Sequence, residues 1–187
     1  MSEMDTAGRS AATVGRLWWM WLLVSAAVIA ADQLTKSWVE AALHAGEQRA
    51  LTGNFSIVLA YNAGAAFSFL ADASGWQRYL FTAFALVASA LVVWLLRRGG
   101  DRVYSLALSL ILGGALGNLW DRVTLGKVVD FLLVHDYLPF GGPLAARFDP
   151  FPAFNLADSA LTAGVALLIL DSFRQHRGAR TAATENR

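Results

Sequence analysis

LWWMWLLVSAAVIAA, residues 17–31, runs fifteen positions without a charge. Three more apolar runs follow: 79–96, 103–120 and 156–170, the last broken only by Asp158. A helix that spans a bilayer needs roughly 20 apolar residues. The second and third runs nearly meet that length alone. The first must recruit DQLTKSWV after it, and the fourth must start near Asn155. The reading is an all-α membrane protein: four transmembrane helices, about 17–39, 78–96, 103–121 and 155–173, in a single domain of 187 residues. Trp18, Trp19 and Trp21 suit an interfacial belt. The first run also resembles a cleavable leader, with Arg9 and Arg16 ahead of it. No strict A-x-A closes it, however, and three candidate spans follow.

Composition agrees. Hydrophobic residues make up 56% of the chain and charged residues 16%, against roughly 25% charged in soluble domains. A net charge of +1 gives no electrostatic footprint for nucleic acid. With no cysteine there is no thiolate nucleophile, disulfide or Cys-ligated metal. His44, His135 and His176 are scattered, so neither a metal site nor a cofactor is expected.

Nine Lys or Arg residues fall in the two tails and the turn between the second and third runs; six fall in the other segments. Cytoplasmic tails 1–16 and 174–187 and extracytoplasmic segments 40–77 and 122–154 follow from that bias. The outer segments hold β-prone stretches, FSIVLAY (55–61) and KVVDFLLV (127–134), expected to form a small β-rich element. All four prolines lie in LPFGGPLAARFDPFP, residues 138–152, which reads as an irregular loop. The tail beyond Phe173 reads as polar and frayed.

Polar residues gather at the outer helix ends. Asp32, Thr35 and Lys36 share one helical face, as do Asn118, Asp121 and Arg122, and Asn155, Asp158 and Ser159. Each set has an ordinary explanation: an i,i+4 surface pair, a helix end, an N-cap with an acid at N3. Three such sets on one side of a membrane point to a site, because ionisable groups at membrane depth usually mark function. Asp130 stands between Val129 and Phe131 with no helix end to excuse it, and needs a partner or a proton. Arg122 is expected to pair with a carboxylate, and Asn155 to orient the aspartates through its side chain.

Two chemistries fit such a site. His135 with Ser159 or Ser68 would make a Ser–His–Asp arrangement, though no G-x-S-x-G accompanies it. Asp130 and Asp158 would make a carboxylate pair sharing one proton, one acting as base on water and the other as acid toward a carbonyl. A small transporter or channel subunit, with the carboxylates as ion sites, is a third reading. Neither inverted repeats nor broken helices favour it.

The order of five motifs narrows the choice. DQLTK (32–36), NAGAAF (62–67), GGALGNLWDR (113–122), VVDF (128–131) and FNLADS (154–159) together resemble the lipoprotein signal peptidase (signal peptidase II) family. The resemblance implies an intramembrane aspartic endopeptidase of the bacterial inner membrane, which removes signal peptides from diacylglyceryl-modified prolipoproteins just before the lipidated cysteine. It implies a catalytic dyad of Asp130 and Asp158. Asn118, Arg122 and Asn155 match positions that support the dyad or hold substrate, and Asn62, Asp32 and Lys36 match positions near it. Lipid-modified prolipoproteins and membrane lipid are the implied partners, and a monomer the expected state. The interval between Asp130 and Asp158 is longer than that family leads one to expect, which bears on substrate gating.

Overall fold

The computed structural model describes residues 18–64, 76–136 and 149–185, without the side chains of 77 and 176–185. The residues of NAGAAF beyond Gly64, Ser68, and most of the proline-rich loop lie outside the described residues. Helix α1 (Trp21–Ala42), led in by a 3-10 turn at Trp18–Met20, precedes strands β1 (Gln48–Ala50) and β2 (Phe55–Asn62). Helices α2 (Trp76–Arg98) and α3 (Arg102–Thr124), strand β3 (Val128–Val134) and helix α4 (Leu156–Glu185) complete the chain. All four helices are long and apolar enough to cross a membrane. The fold is therefore a four-helix membrane architecture carrying a three-stranded antiparallel sheet of order β1-β2-β3. The tail beyond Phe173 differs from the expectation: α4 continues to Glu185, through good helix formers such as Arg177, Ala179, Arg180 and Ala182.

Helix α3 is the centre of the bundle and packs against α1, α2 and α4. It is the most buried of the four spans, and small residues let its neighbours close in. A methyl at Gly113 would meet Val28, one at Gly114 the backbone of Ala157, and one at Gly117 the Asp32 carboxylate at 2.9 Å. Close backbone approach through small residues is how helices associate where lipid is as apolar as leucine. Asp101 starts α3, its side chain accepting from Tyr104 N at 2.8 Å. The outer faces stay apolar and open, among them Leu34 and Trp38 on α1, Tyr79, Phe84 and Val87 on α2, and Ile169 and Leu170 on α4.

Period-two alternation in β3 decides what the sheet does. Val129 and Phe131 pack with Val39, Leu43 and Leu59 in a small core under the end of α1. Asp130 between them therefore turns the other way. In the antiparallel register Asn62 lies opposite Val128 and Ala60 opposite Asp130. Asn62 and Asp130 thus share a sheet face as diagonal neighbours.

Gly117→Ala should lower the thermal unfolding midpoint in detergent by the equivalent of about 1–3 kcal/mol, because the added methyl must displace the buried Asp32 carboxylate or Ala157. Gly53→Ala, where the new atom meets nothing within 4 Å, should stay within about 0.5 kcal/mol of the parent.

Candidate functional site

The site is assembled where α1, α3, β3 and the start of α4 meet. Its base is Lys36, only 2% exposed. The ammonium lies 2.7 Å from Asp32 Oδ2 and 2.8 Å from Asp121 Oδ2, and donates to Asn118 Oδ1 at 3.1 Å. Three acceptors match its three hydrogens. The other carboxylate oxygens are also engaged. Asp32 Oδ1 accepts from Ala157 N at 2.9 Å. Asp121 Oδ1 accepts from Gln33 Nε2 at 2.7 Å, and its Oδ2 from Val129 N at 3.1 Å. This is a buried network, so the surface-pair explanation of Asp32 and Lys36 does not hold. Thr35 takes no part: its hydroxyl donates back to Ala31 O and Asp32 O.

Lys36 also fixes how Asn118 faces. An ammonium offers only donors, so the Asn118 carbonyl must turn to it and the amide nitrogen must turn away. That nitrogen donates to Asp158 Oδ1 at 2.7 Å. Asn118 Oδ1 also accepts from Asn155 Nδ2 at 3.0 Å, which sets the second amide the same way. Asn155 Nδ2 then reaches Asp130 Oδ1 at 2.8 Å and Val129 O at 3.1 Å.

Asn155 is fully buried and does two things at once. Its Oδ1 accepts from Asp158 N at 2.9 Å, and its own N donates to Asp158 Oδ2 at 3.2 Å. That is a reciprocal capping box at the start of α4, with aspartate in the usual glutamate place. Asn155 thus makes both the helix cap and a side-chain bond to Asp130. Asn155 is delivered there by Phe154. Phe154 O accepts from Phe131 N and Leu132 N at 2.9 and 2.7 Å, and its N donates to Leu132 O at 3.0 Å. Asp130 and Asp158, one from a strand and one from a helix start, are thereby tied to the same asparagine.

Burial pushes the Asp130 carboxyl from 3.8 up to about 7, and the nearby Asp158 charge adds to this. Hydrogen bonds from Asn62 and Asn155, and the charge of Lys36, pull the other way. Arg122 corrects the expectation of an ion pair. Among the described residues it makes no carboxylate contact within 4.0 Å. Its Nη1 donates to Asn118 O at 3.4 Å, and the guanidinium lies 5.5 Å from the Phe81 ring centroid. It remains within electrostatic range of Asp158, Asp130 and Asp121. With a nearby ring face and a carbonyl to satisfy it, the guanidinium stays free of any single carboxylate.

The Ser–His–Asp alternative meets a different outcome. Ser159 Oγ donates to Asn155 O at 3.0 Å, and Ser68 is outside the described residues. His135 Nε2 instead lies 2.8 Å from Ser56 Oγ, and its Nδ1 2.9 Å from Asp136 Oδ2. Ser56 is fully buried, so no substrate carbonyl reaches its hydroxyl. The trio links β2 to the end of β3, which Asn54 also fastens through Asp136 O at 2.6 Å.

One residue of the network, Gln33, was not picked out from the sequence. It carries no local mark, since its partner Asp121 is 88 positions away.

Residues 24–174 match the family described as Signal peptidase (SPase) II. A lipoprotein signal peptidase from Pseudomonas syringae pv. tomato is 50% identical over 181 residues, covering 95% of this chain and 98% of the relative. One from Pseudomonas aeruginosa is 52% identical over 171 residues, 90% of this chain and 95% of the relative. Two structures described as a bacterial membrane enzyme, solved in meso at 2.3 and 1.9 Å, each superpose with a TM-score of 0.68. The first is 31% identical and covers 84% of this chain and 89% of its own; for the second the figures are 28%, 81% and 91%. Such a match, in sequence and in fold alike, extends over nearly all of the described chain: it belongs to the signal peptidase II family of peptidases.

Proposed function

We propose that the chain is an intramembrane aspartic endopeptidase that removes the signal peptide from diacylglyceryl-modified prolipoproteins, cutting before the lipidated cysteine, with Asp130 and Asp158 as the catalytic dyad. The observation that carries this reading is the suspension of both carboxylates on Asn155, with Asp130 at a proton affinity near neutrality. Asp158 accepts from Asn118 Nδ2 and Asn155 N. Asp130 holds the shared proton. Asp158 takes a proton from water as its oxygen attacks the scissile carbonyl, and Asp130 gives its proton to the carbonyl oxygen. The tetrahedral intermediate collapses when the proton gained by Asp158 passes to the departing cysteine amine and Asp130 recovers its own.

The remaining residues support that pair. Asn118, Asn155 and Asn62 hold its oxygens; Lys36 and Asp32 fix the amides and the start of α4. Arg122 keeps positive charge beside the pair without neutralising either member. In this reading the protein is a monomer in the bacterial inner membrane, bathed in lipid, with both termini cytoplasmic and 40–77 and 122–154 outside.

Cleavage of a lipidated proprotein in detergent should follow a bell-shaped pH profile, falling on the alkaline side near pH 7 as Asp130 loses the shared proton. Asp130→Asn and Asp158→Asn should each abolish cleavage while substrate still binds, since acyl chains contact apolar helix faces. Cleavage retained in either variant removes that residue from the mechanism.

Stability should carry the same signature. Between pH 4 and 7 folded Asp130 keeps a proton that the unfolded chain releases. Wild type therefore loses up to about 1.4 kcal/mol per pH unit across that window. Asp130→Asn cannot ionise, so its thermal midpoint should exceed wild type at pH 8, by a margin that narrows at pH 5.

Asn155→Ser keeps a capping oxygen but loses the amide N–H donors that Asn118, Val129 and Asp130 share. Turnover should fall at least about tenfold. The alkaline limb should move up, because a bond that lowered the Asp130 affinity is gone. A residue acting only as a helix cap would leave both unchanged.

A further inference from the structure

Toward the end of the bundle away from Asp130 lies a further buried carboxyl group, one outside the cluster around Lys36 and outside the proposed reaction. Asp171, 7% exposed, follows Asp158 by 13 residues, about 20 Å along α4. It borders a cavity of about 620 Å³ lined by Val103, Leu167, Leu170, Asp171, Phe173 and Arg174. Gln175 Nε2 donates to Asp171 Oδ2 at 2.8 Å. Arg174 lines the same cavity but makes no ion pair with Asp171 among the described residues. The cavity thus presents a carboxyl group, a guanidinium and an apolar wall, side by side near the end of the membrane-length stretch of α4, Leu156–Gln175.

Ala157, Gly164 and Asp171 recur every seven residues on the buried face of α4, with Gly164 against Ala107 and Ile111. From that face Leu167 and Arg174 lie about 80–100° round the helix, away from Asp158, and Leu170 and Phe173 turn outward. Leu170 and Phe173 are 59% and 66% exposed, so the cavity opens on the apolar outer surface of α4, the surface a membrane-spanning bundle turns to lipid.

We propose that this cavity binds a phospholipid with a primary-amine headgroup, its ammonium on Asp171, its phosphate on Arg174 and an acyl chain along Val103, Leu167 and Leu170. A primary ammonium carries N–H donors that a carboxylate can accept, whereas a quaternary choline carries none. A headgroup with only negative charge would leave Asp171 opposed.

The test is retention of lipid by the full-length, delipidated protein in detergent, read by native mass spectrometry with phosphatidylethanolamine, phosphatidylcholine and phosphatidylglycerol at equal concentration. Phosphatidylethanolamine should be retained about tenfold more tightly than either competitor. Asp171→Asn, which keeps a partner for Gln175, should remove that preference. Leu170→Trp fills the cavity with both charges intact and should lower retention of the lipid. Equal retention of the three lipids, a preference that survives in Asp171→Asn, or displacement of the lipid by a basic signal-peptide segment would each overturn the assignment. The readout involves no cleavage, so it stands or falls separately from the dyad.

Discussion

Everything at the functional end of this protein rests on burying one ammonium group without leaving it alone. Removing a lysine from water costs several kcal/mol, and the cost is offset only when every hydrogen finds an acceptor. Lys36 meets that condition by drawing Asp32 from its own helix, Asp121 and Asn118 from α3, and through them the start of α4 and strand β3. Two carboxyl groups share the one ammonium, and the backbone N–H groups of Ala157 and Val129 donate to them as well. The same condition that makes the core tolerable locks the helices and the sheet together.

From this follows the different treatment of the two candidate catalytic aspartates. Asp158 sits at a helix start, where donors are plentiful. Asp130 sits on a strand whose neighbours Val129 and Phe131 are committed to an apolar core. Two chemically identical side chains are given unlike surroundings by the backbone each comes from, which is the asymmetry the proposed acid and base roles call for.

Much of this was legible in the sequence, and the limits have a physical pattern. Helices announced themselves by length of apolar run, and β2 and β3 by β-branched and aromatic residues. Asp130 stood out because nothing local excused it. What stayed hidden depended on partners far along the chain. Strand β1, Gln-Arg-Ala, is fully exposed and bears no apolar alternation; it exists because β2 offers it an edge. Arg122 has three carboxylates within electrostatic range, yet it settles near a ring and a carbonyl. His135 found Ser56 across the sheet, a pairing that no spacing suggests. Helical spacing tells which side chains share a face, but not what that face meets.

The capping box of Asn155 and Asp158 has a mechanical consequence. Helix ends ordinarily fray, and a first turn at a site is an obvious hinge. Here that turn is pinned from three directions: by its own box, by Asp32 on Ala157 N, and by Phe154 on β3. Loosening it would release Asp158, Asp130 and the Lys36 cluster together. The start of α4 is therefore the fixed jaw of the molecule. Whatever admits a substrate has to give way elsewhere, on elements whose backbone the carboxylates do not hold.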